Sequence, residues 1–263
     1  MPDHSPGTVA MNEKETRKKV QIGETAATIT CGERHLNAAI DGIIKARAEL
    51  MSYANGRPEF LLSLEPMEAD KDSPLTIKRM CAAAKTAGVG PMAAVAGAIA
   101  FAAVESARDD GAKHCIVDNG GDIALLLDRP VTVGILSSID SENLPAVRIM
   151  PTGGRILGLC TSSGIYGHSI SFGRAEAATV MATDPTLADA LATALGNVCK
   201  DAESIGKALE SISEIDGIIW AMAVVDGKVG TFGNMPDLLP ARRGADDVTV
   251  HTDFPASLPV NGS

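Results

Sequence analysis

The most constraining stretch of this 263-residue chain runs from residue 183 to 197 and specifies one amphipathic helix. Thr183 and Asp184 are both suitable helix caps, and Pro185 suits the first helical position. Leucines then recur at every fourth position, 187, 191 and 195. This pattern predicts a helix that starts near Pro185 and buries one side.

The other side of that helix carries Asp189 and Thr193, four residues apart and therefore one turn apart. Carboxylate and hydroxyl oxygens suit Mg²⁺ or Ca²⁺, and Mg²⁺ usually takes one or two protein carboxylates together with substrate phosphate and water. The pair therefore predicts either a metal site or, as the common alternative for such spacing, a solvated helix face.

A second group of candidate residues lies between two predicted strands, where Asp118 and Asn119 precede Gly120, Gly121 and Asp122. The glycines let the backbone take positive φ and approach a ligand closely. The polar side chains can bind ligand hydroxyls or support a metal. The alternative is a tight hairpin turn, for which Asn-Gly is a strong signal.

A third group follows a predicted strand, where Thr161, Ser162, Ser163 and Gly164 offer three hydroxyls and a flexible backbone. This composition is suited to a phosphate contact, although many plain loops share it. His168 can transfer a proton near pH 7 and is the candidate acid or base. A hydrogen-bonded structural histidine is the alternative.

Charge and cysteine content exclude several classes of function. The net charge of −10 and the pI near 5 argue against nucleic-acid binding, which needs clustered Lys and Arg. Five cysteines without CxxC spacing disfavour a disulfide framework and a structural zinc site. A reducing cytoplasm is therefore the expected location.

No membrane association is expected either. The N-terminal residues contain no apolar stretch of the kind found in secretory signals. The apolar segment from Val89 to Val104 is shorter than a membrane span and is followed by charged residues, so it predicts a buried core helix.

Strand-like segments in series from His114 to Leu159, with helices before and after them, predict an α+β fold of antiparallel sheets and packed helices. Hairpins are the expected connections at such short spacings. The expected division is a disordered segment 1–16, one domain 17–243 and a loosely ordered tail 244–263. Within the domain, Phe60 to Leu64 is interpreted as a strand, and Ser73-Pro74 as the cap and first residue of a helix.

Three motifs in order connect the chain to a known family. With Gly-Gly-Asp-Ile at 120–123, Thr-Ser-Ser-Gly at 161–164 and Ala-Asp-Ala-Leu-Ala-Thr-Ala-Leu at 188–195, the chain resembles the ApbE family of Mg²⁺-dependent, FAD-binding flavin transferases. It is more similar to a short branch of that family, over roughly residues 88–232.

The resemblance implies a T-fold type of α+β domain, with FAD between the glycine turn and the helix after Pro185. It also implies a metal held by Asp189, Thr193 and a backbone carbonyl near residues 92–94, and a protein acceptor for FMN. The sequence departs from the family at residues 91–94, where Pro-Met-Ala-Ala stands in place of Lys-Gly-Tyr. A non-catalytic cofactor-binding or partner protein, and an enzyme for a different substrate, therefore stay open.

Overall fold

A computed structural model describes residues 14–135, 143–163, 175–242 and 248–249. The strands are β1 Glu15–Ile22, β2 Thr25–Gly32, β3 Cys115–Asn119, β4 Asp122–Leu126, β5 Val131–Gly134, β6 Asn143–Ile149, β7 Leu157–Ser162, β8 Ala177–Ala182, β9 Ile218–Val225, β10 Lys228–Gly233, β11 Leu239–Arg242 and β12 Val248–Thr249. The helices are α1 Leu36–Ala54, α2 Pro58–Leu62, α3 Leu75–Ala87, α4 Val95–Asp109, α5 Pro185–Val198 and α6 Ile205–Ile212.

The main sheet has eight strands in the order β1-β2-β3-β4-β7-β8-β9-β10, and every neighbouring pair is antiparallel. Strands β5 and β6 leave this sheet and form a smaller one in the order β11-β6-β5-β12, in which β12 is parallel to β5. The predicted α+β class is confirmed, with this single parallel pair as an exception among the described strands.

The two faces of the main sheet are covered differently. One face packs on the small sheet through side chains such as Leu125, Leu159 and Val147. The other face carries α1 and α4 over one half and α5 and α6 over the other half. Residues alternate between the faces along each strand, so Ala124 of β4 faces α4 while Leu125 faces the small sheet.

Helix α5 is covered again on its far side, because α3 packs against both α4 and α5. A 3₁₀ turn at Pro91–Ala94 leads directly into α4 and contacts α3 and α5. The starts of α4 and α5 therefore come together between the sheet and an outer helix, and this crossing positions the candidate site.

Three local predictions were wrong. Residues 60–62 belong to helix α2, which Pro58 starts, instead of a strand. Ser73 does not cap α3; Pro74 occupies the cap position, and Thr76 of α3 donates hydrogen bonds to the Glu49 carboxylate instead. Finally, β4 pairs with β7 instead of forming a hairpin with β5.

Strand β1 begins at Glu15, so the first strand includes two residues of the segment that was expected to be disordered. Val248–Thr249 pairs with β5 inside the predicted tail. Residues 1–13 and 250–263 lie outside the described residues, and the division into one domain with two flanking segments stays a prediction.

Candidate functional site

Helix α5 begins as its sequence predicts. The Asp184 carboxylate accepts hydrogen bonds from the amides of Thr186 (2.7 Å) and Leu187 (3.1 Å), and Pro185 follows the cap. Of the two caps that the sequence allowed, the aspartate is used, because its side chain reaches the two free amides of the first turn.

The solvated-face alternative for Asp189 and Thr193 is wrong. Asp189 is 7% exposed and Thr193 is 9% exposed. The apolar side of α5 packs on the sheet, while Ala190 packs on the outer helices. A carboxylate and a hydroxyl are therefore enclosed on one side of a helix that is buried along most of its length, where an uncompensated charge is costly.

Asp189 reaches the start of α4. Its Oδ2 accepts a hydrogen bond of 2.8 Å from the Gly97 amide, in the first turn of that helix. The two helices cross closely here, since a Cβ on Gly97 would lie 2.4 Å from the Pro185 carbonyl oxygen and 2.7 Å from the Asp189 Cβ. The absence of a side chain at residue 97 thus lets α5 place its carboxylate on the positive end of α4.

The glycine turn is organised by the two side chains that precede it. Asp118 Oδ1 accepts a hydrogen bond of 3.2 Å from the Gly121 amide, and Asn119 Nδ2 donates one of 3.1 Å to the Ala96 carbonyl oxygen. Gly120 and Gly121 have φ values of 69° and 118°. The turn is therefore hydrogen-bonded to the start of α4, and both of its residues with positive φ are glycines.

Asp122 is the first residue of β4, and it pairs in register with Cys160 of β7. The pKa of its carboxyl group is raised well above the usual range, first by burial and then by the nearby negative charge of Asp189. Hydrogen bonding from the Cys160 thiol acts in the opposite direction. Two acidic side chains from different elements thus meet beside the start of α4.

Burial also raises the pKa of Asp189 to about 7, and the amides of Gly97 and Ala96 oppose this shift. No described Lys, Arg or His forms an ion pair with Asp122 or Asp189. We call Asp122, Asp189 and Thr193 the carboxylate site. Its negative charge is balanced only in part, by backbone amides and a thiol.

Ser162 lies at the edge of this site. A Cβ on Gly196 of α5 would be 3.5 Å from the Ser162 hydroxyl oxygen, so the last residue of β7 stands beside the final turns of α5. Ser162 and Ser163 are both half-buried. The hydroxyl-rich segment that the sequence analysis identified therefore borders the helix that carries Thr193.

Two sequence predictions fall outside the described residues. These are Gly164, at the end of the hydroxyl-rich group, and His168, the candidate acid or base. Both stay predictions.

No group of three or more His, Cys, Asp or Glu side chains in the described part of the chain is arranged to hold a metal ion. A cation at the carboxylate site would need the Thr193 hydroxyl, a backbone carbonyl or ligand phosphates in addition to carboxylates. That donor set is the one that Mg²⁺ commonly uses.

Sequence reasoning missed Cys160 and the amides of Ala96 and Gly97. Side chains along β7 alternate between the two faces of the sheet, so Cys160 lies on the same face as Ser162, and this alternation is the signal that could have identified it. The pairing of β7 with β4 had no local signal, because β5 and β6 lie between them in sequence.

No single described helix is apolar over enough residues to cross a membrane; only the bent pair Leu75–Ala87 with Pro91–Asp109, at 105°, meets the criteria of length and composition together.

The family described as AbpE bacteria matches residues 9–225. The chain belongs to this family. Two family relatives are both called UPF0280 protein. The one from Methanocella arvoryzae is 43% identical over 231 residues, covering 88% of this chain and 94% of the relative. The one from Archaeoglobus fulgidus is 45% identical over 240 residues, covering 89% and 98%.

Solved structures with a similar fold include ApbE proteins. The ApbE protein of Thermotoga maritima matches with a TM-score of 0.60 at 12% identity, covering 82% of this chain and 96% of that one. The flavin transferase ApbE of Vibrio cholerae matches with a TM-score of 0.54 at 13% identity, covering 83% and 96%. The expected ApbE-like α+β fold is therefore confirmed.

Proposed function

We propose that this protein binds FAD or a related phosphorylated cofactor together with Mg²⁺ at the carboxylate site. The observation that carries the proposal is Asp189, a buried carboxylate whose pKa is raised to about 7 and which has no described cationic partner. Buried charges in proteins are normally paired or bound to metal, so this arrangement favours a cation supplied by the ligand.

The residues fit Mg²⁺ by their chemistry. Asp189 and Thr193 offer hard oxygens one turn apart, and Asp122 adds a second acidic group. When bound, Mg²⁺ supplies positive charge that offsets both the carboxylates and the phosphates of the ligand. The backbone carbonyl that the family resemblance implies near residues 92–94 would come from the 3₁₀ turn at Pro91–Ala94, which packs against α5.

The cofactor would lie between the glycine turn and α5. Nothing is within 4 Å of the position that a Cβ on Gly120 would take, so a ligand can approach the backbone there. Ser162 and Ser163, with Gly164 next in the sequence, would contact its phosphates, and Asp122 would face it across the turn. The flavin transferase activity named for the Vibrio cholerae structure supports a flavin as the ligand.

Transfer of FMN to a protein acceptor is the finer proposal, with His168 as the acid or base. Release of AMP tests it, because only cleavage of the FAD pyrophosphate produces AMP.

The sequence Pro-Met-Ala-Ala at 91–94 favours the second candidate, a cofactor-binding protein without transfer activity, since the Lys-Gly-Tyr of the transferases is absent there. We place the protein in the cytoplasm, a location that suits its five buried cysteines, none of which forms a disulfide bond.

FAD fluorescence quenching tests the binding proposal. We expect the wild type to bind FAD more tightly with Mg²⁺ than with a chelator present, and Asp189→Ala to lose this difference while remaining folded. Asp41→Ala, at an exposed carboxylate of α1, is the matched control and should behave as the wild type. Equal FAD affinity with and without Mg²⁺ in the wild type would contradict the proposal.

A further inference from the structure

The side chain of Asn119 makes a contact that the sequence did not suggest. Its Nδ2 donates to the carbonyl oxygen of Ala96, 23 residues earlier and in the first turn of α4. Asn119 is only 9% exposed. One of the two N–H donors of its amide group is thus already used within the protein.

Backbone conformation does not explain an asparagine at this position. Among the described residues, Asp226 is the only non-glycine residue with positive φ, at 50°, and it forms the β9–β10 turn with Gly227. In the β3–β4 turn the positive φ angles belong to Gly120 and Gly121, so residue 119 has ordinary strand geometry. Asn119 is explained by the hydrogen bond of its side chain instead of by the turn that Asn-Gly signals.

The peptide that Asn119 holds is the one that orients Asp189. The Ala96 carbonyl accepts from Asn119 on one side, while the next amide, that of Gly97, donates to Asp189 Oδ2 at 2.8 Å. The first turn of α4 therefore forms hydrogen bonds with β3 and α5, two elements that are distant from it in sequence. Any shift of residues 96–97 would move the donor that fixes the Asp189 carboxylate.

We propose that Asn119 is a positioning residue that holds the first turn of α4 in place, so that the Gly97 amide orients the Asp189 carboxylate for the Mg²⁺-bound ligand. This inference rests on the proposed function for its ligand. It replaces direct contact with the cofactor as the role of Asn119.

The first experiment compares FAD affinity with and without Mg²⁺ for the wild type, Asn119→Ala and Asn119→Leu. The leucine variant keeps a similar volume without the donor. If Asn119 acts through Asp189, both variants weaken FAD binding about three- to tenfold with Mg²⁺, the effect of one hydrogen bond, and leave binding unchanged without Mg²⁺. Asn37→Ala, at an exposed position of α1, is the control.

An equal loss of affinity with and without Mg²⁺ would show that Asn119 contacts the ligand itself and would overturn the inference. Unchanged affinity in both conditions would overturn it as well. If the wild type shows no dependence on Mg²⁺, the proposed function fails, and the second experiment decides the inference by itself.

The second experiment needs no ligand. We expect hydrogen–deuterium exchange of the amides at residues 95–98 to be several-fold faster in Asn119→Leu than in the wild type, because the first turn of α4 loses one of its two anchors. Exchange in α1 should stay the same. Unchanged exchange at the start of α4 would show that the hydrogen bond holds nothing in place and would overturn the inference.

Discussion

Helix α4 takes part in two enclosed polar clusters, which balance charge in opposite ways. Beside its later turns, Arg79 Nη1 and Nη2 donate to the two carboxylate oxygens of Glu105 at 2.8 and 3.0 Å, and the guanidinium lies 4.2 Å from the centre of the Phe101 ring. At its start, Asp189 meets Asp122, a like charge, and receives only backbone amides.

The difference separates a structural cluster from a candidate functional one. Arg79 and Glu105 carry opposite charges and share two hydrogen bonds, and Arg108 Nη2 lies 3.5 Å from Glu105 Oε1, so this carboxylate is balanced by side chains of the protein itself. The carboxylate site retains negative charge that a ligand cation can offset. Burial is common to both clusters, and it is the unbalanced charge that distinguishes the candidate site.

Asp189→Asn should have the largest effect on the difference between the two clusters, because it removes the buried negative charge of the carboxylate site. The pKa of Asp189 is raised to about 7, so the folded state holds the proton more tightly than the unfolded state. The free energy of unfolding of the wild type should therefore fall as pH rises from about 4 to 7 and then level off. The rise of this pKa from its ordinary value to about 7 sets an upper limit of about 4 kcal/mol on the change in unfolding free energy.

Urea denaturation from pH 4 to pH 8 measures this effect. The asparagine variant should be more stable than the wild type at pH 8 and equal to it at pH 4. A stability difference that is the same at every pH would show that the Asp189 charge is already balanced in the folded protein.

Gly97→Ala should disturb the close crossing of α4 and α5. Its Cβ would lie 2.4 Å from the Pro185 carbonyl oxygen, and backbone must move to relieve the contact. We expect the free energy of unfolding to fall by about 2–3 kcal/mol. We also expect Mg²⁺-dependent FAD binding to be lost. Gly206→Ala in α6, where nothing lies within 4 Å of the added Cβ, is the control, and an equal effect in both variants would contradict the close crossing.

Arg79→Met should unbalance the structural cluster. Glu105 would lose the partner that donates two hydrogen bonds and keep only the longer 3.5 Å contact with Arg108, while its side chain is only 25% exposed. The expected loss is about 1–2 kcal/mol of unfolding free energy, with no change in the Mg²⁺ dependence of FAD binding. A double-mutant cycle with Glu105→Gln checks the coupling. If Mg²⁺ dependence falls in Arg79→Met, the two clusters are not separate.

Mg²⁺ itself should have a smaller effect, which is to stabilise the protein through the carboxylate site. With FAD present, Mg²⁺ at ten times its dissociation constant should stabilise the wild type by about 1.4 kcal/mol at pH 8. The gain should shrink at pH 5, because protons then compete for a carboxyl group with a pKa of about 7. Thermal unfolding at the two pH values checks this, with Asp189→Asn expected to show no gain at either; a larger gain at pH 5 would contradict the role of Asp189.

Local sequence signals predicted much of the fold. The cap and proline before α5 and its leucine spacing are short-range features, and the structure confirms both. The strand expected at residues 60–64 failed because a five-residue apolar run does not distinguish a strand from a short helix. The cap expected at Ser73 failed because Glu49, from another helix, takes that role.

The sequence identified residues of the candidate site but did not predict how they are arranged in space. The spacing of Asp189 and Thr193 identified the pair, whereas their burial depends on α3, α4 and the sheet, which surround α5 from distant parts of the chain. The hydrogen bond from Asn119 to Ala96 and the pairing of Asp122 with Cys160 likewise join separate segments. Such contacts leave no local pattern for a single sequence to reveal.

The most direct test of a cation-dependent cofactor site is a crystal structure with FAD and Mn²⁺, located by its anomalous scattering. The account predicts one Mn²⁺ peak bound by the Asp189 carboxylate and the Thr193 hydroxyl, in contact with the phosphates of FAD beside the glycine turn. A cofactor bound away from α5, or an Mn²⁺ ion held by other residues, would contradict it.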